Sequence, residues 1–454
     1  MLSEDIAEFV AGIRCDQLPG STIDAVKVLV LDTLGCALGA LDAEPAALLK
    51  DIAPDAAPGR PGATCIGDGR LATTEGAVIV NGALVRYLDF MDVYWSRDIC
   101  HPAENITVAL ACVEEAKGGG DRLIEAIVAG YEAQIRLCDS FSFQEIGCHH
   151  ASAAGFVAPL IAGKAWGQDA ATMAQGGVLG GFRHLTLGVL SSGDLSMAKA
   201  GAFPMSSSEG VTAARLAAAG FTGPLSVYEW LYKQTGADVA DFALDYEAYR
   251  LERVSLKQFP AQYALQAPVA AAVRLHGDVS GRHGDAGRGD IQKIRAMVKP
   301  EMLLRAADSS KYHPANRETA DHSLPSCVSM ALLDGKLTEA QFTENRFLDD
   351  DVMALTGLVE CVGDPSFAER FPDGRPGAVE VTFANGDVVS ATEEVPLGDR
   401  DRPMGQTALH EKFMGQAAPE IGEAAAQKII AFIDTLETQT SIAPLLQLCQ
   451  RELA

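Results

Sequence analysis

None of the ten cysteines (Cys15, Cys36, Cys65, Cys100, Cys112, Cys138, Cys148, Cys327, Cys361 and Cys449) is spaced from another as CxxC. Local zinc sites and iron–sulfur clusters use that spacing, so its absence argues against both. Scattered thiols fit small core residues in a reducing cytosol. Basic charge is scarce: 36 Lys and Arg stand against 61 Asp and Glu, a formal net charge of −25. A nucleic-acid partner needs a basic face and is not expected. A small anionic substrate remains compatible, since a basic pocket can sit inside an acidic, solubilising shell. No stretch near ~20 residues is apolar enough to span a bilayer. The start, MLSEDIAEFVAGIRCD, carries Glu4, Asp5 and Glu8 where a secretory leader has bases and an apolar run. A cytoplasmic location without membrane attachment is expected. GxxxxGK[ST], HExxH, GxSxG and a strand-borne GxGxxG are missing as well. The glycines in Gly176-Gly177-Val178-Leu179-Gly180-Gly181 lie in helical context, without the strand–loop–helix frame a nucleotide site needs.

What is present is a foldable chain of 454 residues, 48% hydrophobic and 21% charged. At roughly 100–200 residues per domain, this length suggests two or three domains. The first 230 or so residues read as successive helices. Ile23, Val26, Leu29, Val30 and Leu34 recur at helical spacing behind Ser21 as an N-cap. Ile106, Val108, Ala109, Ala111 and Cys112 repeat the pattern, closed by Gly118-Gly119-Gly120, and Leu123–Cys138 follows. Ala153–Ala165, Ala170–Gly181 and Gly210–Ala219 are rich in alanine and glycine and predict closely packed, buried helices. Near residue 254 the character changes. Ile291–Lys299 reads as a strand. Residues 378–383 and 388–390 flank Asn385-Gly386 as a hairpin. Helices are expected near Ser323–Asp334 and Asp350–Glu360, a mobile loop over Gly277–Gly289, and helices again from Leu409 to Leu453. The fold class is therefore mostly α with an α+β second domain: 1–254 helical, 255–404 α+β, and 405–454 as C-terminal helices.

Polar residues gather at five places. Asp89, in Tyr87-Leu88-Asp89-Phe90-Met91-Asp92, and His101, in His101-Pro102-Ala103-Glu104-Asn105, are twelve residues apart across a loop. They form either a proton-transfer pair or a helix end and a His-Pro turn. His149-His150 opens an alanine- and glycine-rich helix, as a catalytic imidazole or a packing group. Lys199 and Lys257 stand in small-residue or apolar surroundings, where a buried lysine pairs with an anion and a substrate carboxylate is one candidate. Last, Arg317-Glu318-Thr319-Ala320-Asp321-His322-Ser323 precedes an apolar helix. Asp321 there is a catalytic group or, like Ser323, an N-cap.

In this order the segments LDFMD…HPAEN (88–105), GCHHASAAG, MAK…EGVTAARLAAAGFTGP (197–224), KQFPAQYALQ (257–266), RETADHSLP (317–325) and PLGDRDRPM…KF (396–413) resemble the MmgE/PrpD family over essentially the whole chain. The resemblance implies a cytosolic homodimer whose C-terminal helices return to the helical domain. It also implies metal- and cofactor-free chemistry on small di- and tricarboxylates, through a carbanion-like centre beside a carboxylate. Asp89, His101, His149, Lys199 and Lys257 match residues that line the pocket in relatives; Asp89, His101 and His149 are expected to be catalytic, and Lys199 and Lys257 to bind the carboxylates. Gln262, Arg317 and Ser326 are expected to complete the substrate-binding set. RETADHSLP and HPAEN lean toward the dehydratase branch, so the expectation is a hydro-lyase in which Asp89 orients His101 or His149. Four departures stand out: Ser326 where that branch commonly has tyrosine, Gln262 for glutamate or histidine, Ala264 for histidine, and His150-Ala151 where relatives often read Pro-Thr after His149. They keep open an epimerase of an amino- or iminodicarboxylate, or a silent carboxylate-binding relative.

Overall fold

The computed structural model describes residues 1–245, 248–283, 290–370 and 374–451. Ten helices form the first part: α1 (Leu2–Gly12), α2 (Gly20–Leu38), α3 (Glu44–Ile52), α4 (Thr74–Tyr87), α5 (Glu104–Glu115), α6 (Gly120–Ser140), α7 (Ala153–Trp166), α8 (Ala170–Gly181), α9 (Ala198–Ala218) and α10 (Val227–Thr235). Small residues set how closely they approach. A Cβ on Gly180 of α8 would stand 2.1 Å from the Gly155 carbonyl of α7, and one on Gly82 of α4 would stand 2.4 Å from Pro204 of α9. The alanine- and glycine-rich helices are thus packed backbone to backbone, as their composition predicts. Two short antiparallel pairs, β1 (Ala63–Thr64) with β2 (Leu71–Ala72) and β3 (Tyr94–Trp95) with β4 (Ile99–Cys100), brace the loops around α4.

The α+β part holds a four-stranded sheet in the order β6-β5-β7-β8. β5 (Ile291–Val298) runs parallel to β6 (Val359–Gly363) and antiparallel to β7 (Gly377–Phe383), which turns back as β8 (Val388–Glu393). Gly386 supplies the left-handed residue of that turn at φ +87°, as the Asn-Gly signal requires. Helices α11 (Gln266–His283) and α14 (Leu324–Asp334) cover the sheet. Between and after them come the short helices α12 (Leu303–Ala306), α13 (Arg317–Ala320), α15 (Glu339–Thr343), α16 (Asp350–Thr356) and α17 (Pro365–Ala368). The tail, α18 (Gln406–Ile421), α19 (Glu423–Asp434) and α20 (Ala443–Leu448), returns to the first part, where Phe413 lies against Gly35 of α2. One apolar core accordingly runs from Leu2 to Leu256 and resumes at Leu409, and a second runs from Phe259 to Val389.

Five local expectations need correction. Ser21 is inside α2; Pro19 is the N-cap, and the Ser21 hydroxyl donates to Glu252 instead. α5 ends at Glu115, with Lys117 already left-handed (φ +54°), and Gly120 opens α6 rather than closing α5. α9 starts twelve residues before Gly210, so Lys199 lies in its first turn and not between two helices. Asp350–Glu360 is a helix only to Thr356, because Val359 is drawn into parallel pairing beside Ile294. Residues 277–283, expected as loop, extend α11, held by the buried Val279; residues 284–289 lie outside the described residues. Among the described residues no helix is long and apolar enough to cross a membrane.

Candidate active site

The site begins where α4 stops. Thr73 caps the helix start by accepting from the Gly76 amide, and Leu88 is the last residue with helical geometry. Asp89 then takes φ +50°, a left-handed conformation that costs a non-glycine residue roughly 1–2 kcal/mol. The turn brings its carboxylate back to Arg86, whose Nη1 donates to Oδ1 at 2.7 Å. Lys257 donates to the same oxygen at 2.8 Å and to the Asp89 carbonyl at 2.7 Å. The other oxygen, Oδ2, lies 3.6 Å from Lys199 Nζ and 3.5 Å from His322 Nδ1. Burial alone would raise the Asp89 pKa, but Lys199, Lys257 and Arg86 outweigh it and hold the carboxyl well below its usual range.

A second carboxylate completes the network. Lys199 donates to both Asp321 oxygens, at 2.9 and 3.0 Å, and His322 Nδ1 sits 2.5 Å from Asp321 Oδ1. Burial opposes ionisation of Asp321, yet Lys199 and His322 lower its pKa, so it is a carboxylate and Nδ1 of His322 carries the proton. The Nε2 of His322 is therefore bare. Capping falls to Ser323, whose Oγ accepts from the Ser326 amide, leaving Asp321 to the ion pair.

Two further imidazoles have opposite tautomers. His101 follows β4 directly, and its Nδ1 lies 2.6 Å from the Asp92 carbonyl. A carbonyl only accepts, so Nδ1 is protonated and Nε2 is free. At His149 the Ala151 amide donates to Nδ1 at 3.2 Å, so the neutral ring carries its proton on Nε2. His150 lies between them, its ring centroid 3.9 Å from that of His149 and 5.3 Å from that of His101. Burial, then neighbouring positive or imidazole groups, lowers all three pKa values well below 6.5. The rings are neutral at pH 7. Behind His101, burial pushes Asp92 up to about 7 and Glu104 up to about 8. The Asp92 carboxyl accepts from the Ala103 amide at 2.9 Å and from the Tyr131 hydroxyl at 2.8 Å, which fixes the start of α5.

These groups enclose a cavity of about 50 Å³ at the seam between the two cores. Asp89, His101, His149, Lys199, Lys257 and Gln262, all expected from sequence, line it. Arg317 and Ser326 do not. The Arg317 guanidinium is instead stacked between Tyr87 and Phe342, at 4.8 and 5.2 Å from the ring centroids. Ser326 is buried in the first turn of α14, its amide given to Ser323. The expected pairing of Asp89 with a catalytic histidine gives way too. Asp89 is taken up by cations, a backbone carbonyl orients His101, and the acid–imidazole pair is Asp321–His322. Arg86, His150, Arg305 and His322 also line the cavity without having been singled out. His150 and His322 sat inside segments already picked out, and Arg86 stands at helical i,i+3 spacing from Asp89. Arg305 lies in no motif. Asp89, Asp321 and His322 place ligand atoms within 4.8 Å of one another, a spacing that suits a metal ion. The Lys199 ammonium already fills the cation position beside both carboxylates.

Residues 4–242 match the MmgE/PrpD N-terminal domain and residues 259–438 the MmgE/PrpD C-terminal domain. The chain is 27% identical to the mitochondrial 2-methylcitrate dehydratase of Yarrowia lipolytica, over 94% of this chain and 86% of that one. It is 28% identical to 2-methylcitrate dehydratase of Cupriavidus necator, over 94% and 92%. To the cis-aconitate decarboxylase of Mus musculus it is 24% identical, over 96% and 91%.

Proposed function

The chain belongs to the MmgE/PrpD family, and on that premise we propose that it is a cofactor-independent dehydratase of a small hydroxy di- or tricarboxylate such as 2-methylcitrate. The observation that carries the reading is the pair of opposite tautomers, His101 and His149, at one cationic cavity. Arg86, Lys199, Lys257 and Arg305 line it, against Asp89 in the wall and Asp321 just behind. That surplus of positive charge suits a substrate with at least two carboxylates.

In the proposed reaction the bare Nε2 of His101 takes the proton α to a carboxylate. The electron pair moves onto that carboxylate, where Lys199 and Lys257 stabilise the added charge. It then forms the carbon–carbon double bond as the β C–O bond breaks. The departing hydroxyl is hydrogen-bonded by His149 Nε2–H and leaves as water. The proton it needs comes from His149 Nε2, and His101 holds the one it removed until exchange with solvent resets both rings. Protons and charge balance, with one water released. Loss of either lysine should remove about 2–4 kcal/mol of transition-state binding.

A proton NMR time course in deuterium oxide tests this with 2-methylcitrate, citrate, cis-aconitate and iminodisuccinate. An unsaturated product from a hydroxy acid is the expected result. If Lys199→Ala and His101→Ala keep wild-type turnover of that substrate, the assignment is wrong. The second bare imidazole, His322, favours one alternative, an epimerase of an iminodicarboxylate with two proton-transfer groups. Deuterium entering recovered substrate without an unsaturated product would select it, and binding without any change a silent relative.

A cytosolic homodimer is part of the same proposal. All ten cysteines are free thiols, and Phe182, Leu187 and Val189 expose apolar side chains beside the site. Light scattering at twice the chain mass is the expected result for the dimer.

A further inference from the structure

Arg305 stands at a boundary. Together with Ile99 and Gln262 it lines both the inner cavity of about 50 Å³ and an outer vestibule of about 390 Å³. Its Nη2 donates to Gln144 Oε1 at 2.6 Å, a bond from α12 of the α+β domain to the loop after α6 of the helical domain. Every other cation in the inner lining has its acid: Arg86 and Lys257 share Asp89, and Lys199 holds Asp321. Arg305 has no ion pair among the described residues. The acid that acts on it, Asp98, is reached only through Gln144, which donates to Asp98 and accepts from Arg305, so most of the donor fork stays open to a carboxylate. Facing it, Gln262 Oε1 is buried without a hydrogen-bond partner, so both groups at the mouth still have polar capacity to satisfy.

Volume decides what can satisfy it. The inner cavity has room for only a few waters, so a polycarboxylate with its reacting carbon beside His101 must extend its far end through the mouth. Arg305 is the cation at that point.

Resting on the dehydratase reading, we propose that Arg305 is a specificity-determining residue that exchanges Gln144 for the substrate carboxylate farthest from the reacting carbon, so the enzyme selects tricarboxylates over dicarboxylates.

Trp95 lines the vestibule and gives a readout independent of turnover. Tryptophan fluorescence would be titrated with tricarballylate and with succinate, using Trp95→Phe to identify the signal. The wild type should bind tricarballylate at least tenfold more tightly than succinate. Arg305→Gln, which retains a partner for Gln144, should lose that preference, with succinate changed less than twofold. Arg305→Lys should keep a reduced preference, and it serves as the test should the glutamine variant melt early. With a turned-over tricarboxylate, Arg305→Gln should raise KM at least tenfold and leave kcat within about threefold. A wild type without preference, or variants that keep it, overturns the proposal. Arg305-dependent preference in a protein that dehydrates nothing would sustain it while removing the dehydratase reading; turnover with unchanged preference would do the reverse.

Discussion

Asp89 combines a helix stop, a strained backbone and the counter-ion of a buried cation cluster. Removing its charge leaves Arg86 and Lys257 uncompensated in the interior, which costs about 3–5 kcal/mol. Asp89→Asn should lower urea stability by that amount and abolish turnover. Had Asp89 oriented a histidine, the loss would be chiefly of activity. The sequence showed Asp89 and His101 as chemistry-bearing, because an acid and a histidine beside a helix end are visible in one dimension. It did not show which group meets which, since Lys257 reaches Asp89 across 168 positions and Lys199 reaches Asp321 across 122. Residue-level titration yields a second expectation. The lowered histidine pKa values mean that the unfolded chain binds more protons below about pH 6.5, so their contribution is full above that value and lost as pH falls. Glu104 is raised from 4.5 to about 8, so its contribution is full below about pH 4.5 and lost progressively as pH rises to 8. Glu104→Gln copies the protonated carboxyl. It should match the wild-type melting temperature near pH 4 and exceed it by a margin that grows up to about pH 8.

At the scale of elements, α4 and α9 carry Arg86 and Lys199 toward the same carboxylate, and they cross at Gly82 against Pro204. A methyl there has nowhere to go without moving α9. Gly82→Ala should cost about 1–3 kcal/mol in urea unfolding and lower turnover in parallel, since Lys199 moves with its helix. The small-residue helices were legible because glycine and alanine at helical spacing have few other uses. The first half of α9 was not, because Pro204 and Ser206-Ser207-Ser208 are poor helix formers. Burial of Phe203 and Ser207 against neighbouring helices overrides that local preference. The Asn-Gly hairpin was read correctly for the opposite reason, that its turn chemistry is local. Thr356 to Val359 switches from helix to strand through contact with β5, which no local pattern records.

For the whole molecule, two cores meet at the site, one ending its first run at Leu256 and the other starting at Phe259. The return of α18 to α2 was implied only by resemblance, since α18 is amphipathic and would suit either core. The acidic surface and cationic interior make opposite demands on an anionic substrate. At an ionic strength of about 10 mM the Debye length is about 30 Å and the net charge of −25 repels the substrate before the cavity can attract it. kcat/KM should therefore rise between about 10 and 150 mM sodium chloride, measured with a saturable substrate. The Asp89 cluster also sets an order of events in time. Its cations come from residues 86, 199 and 257, and Lys199 in turn grips Asp321 in the other core. Arg86, Asp89 and Lys199 share the first core, but until the two cores dock Asp321 and His322 stay hydrated and apart from Lys199. Catalytic competence is thus the last property a newly made chain acquires, arriving in the same step that drives water from the seam.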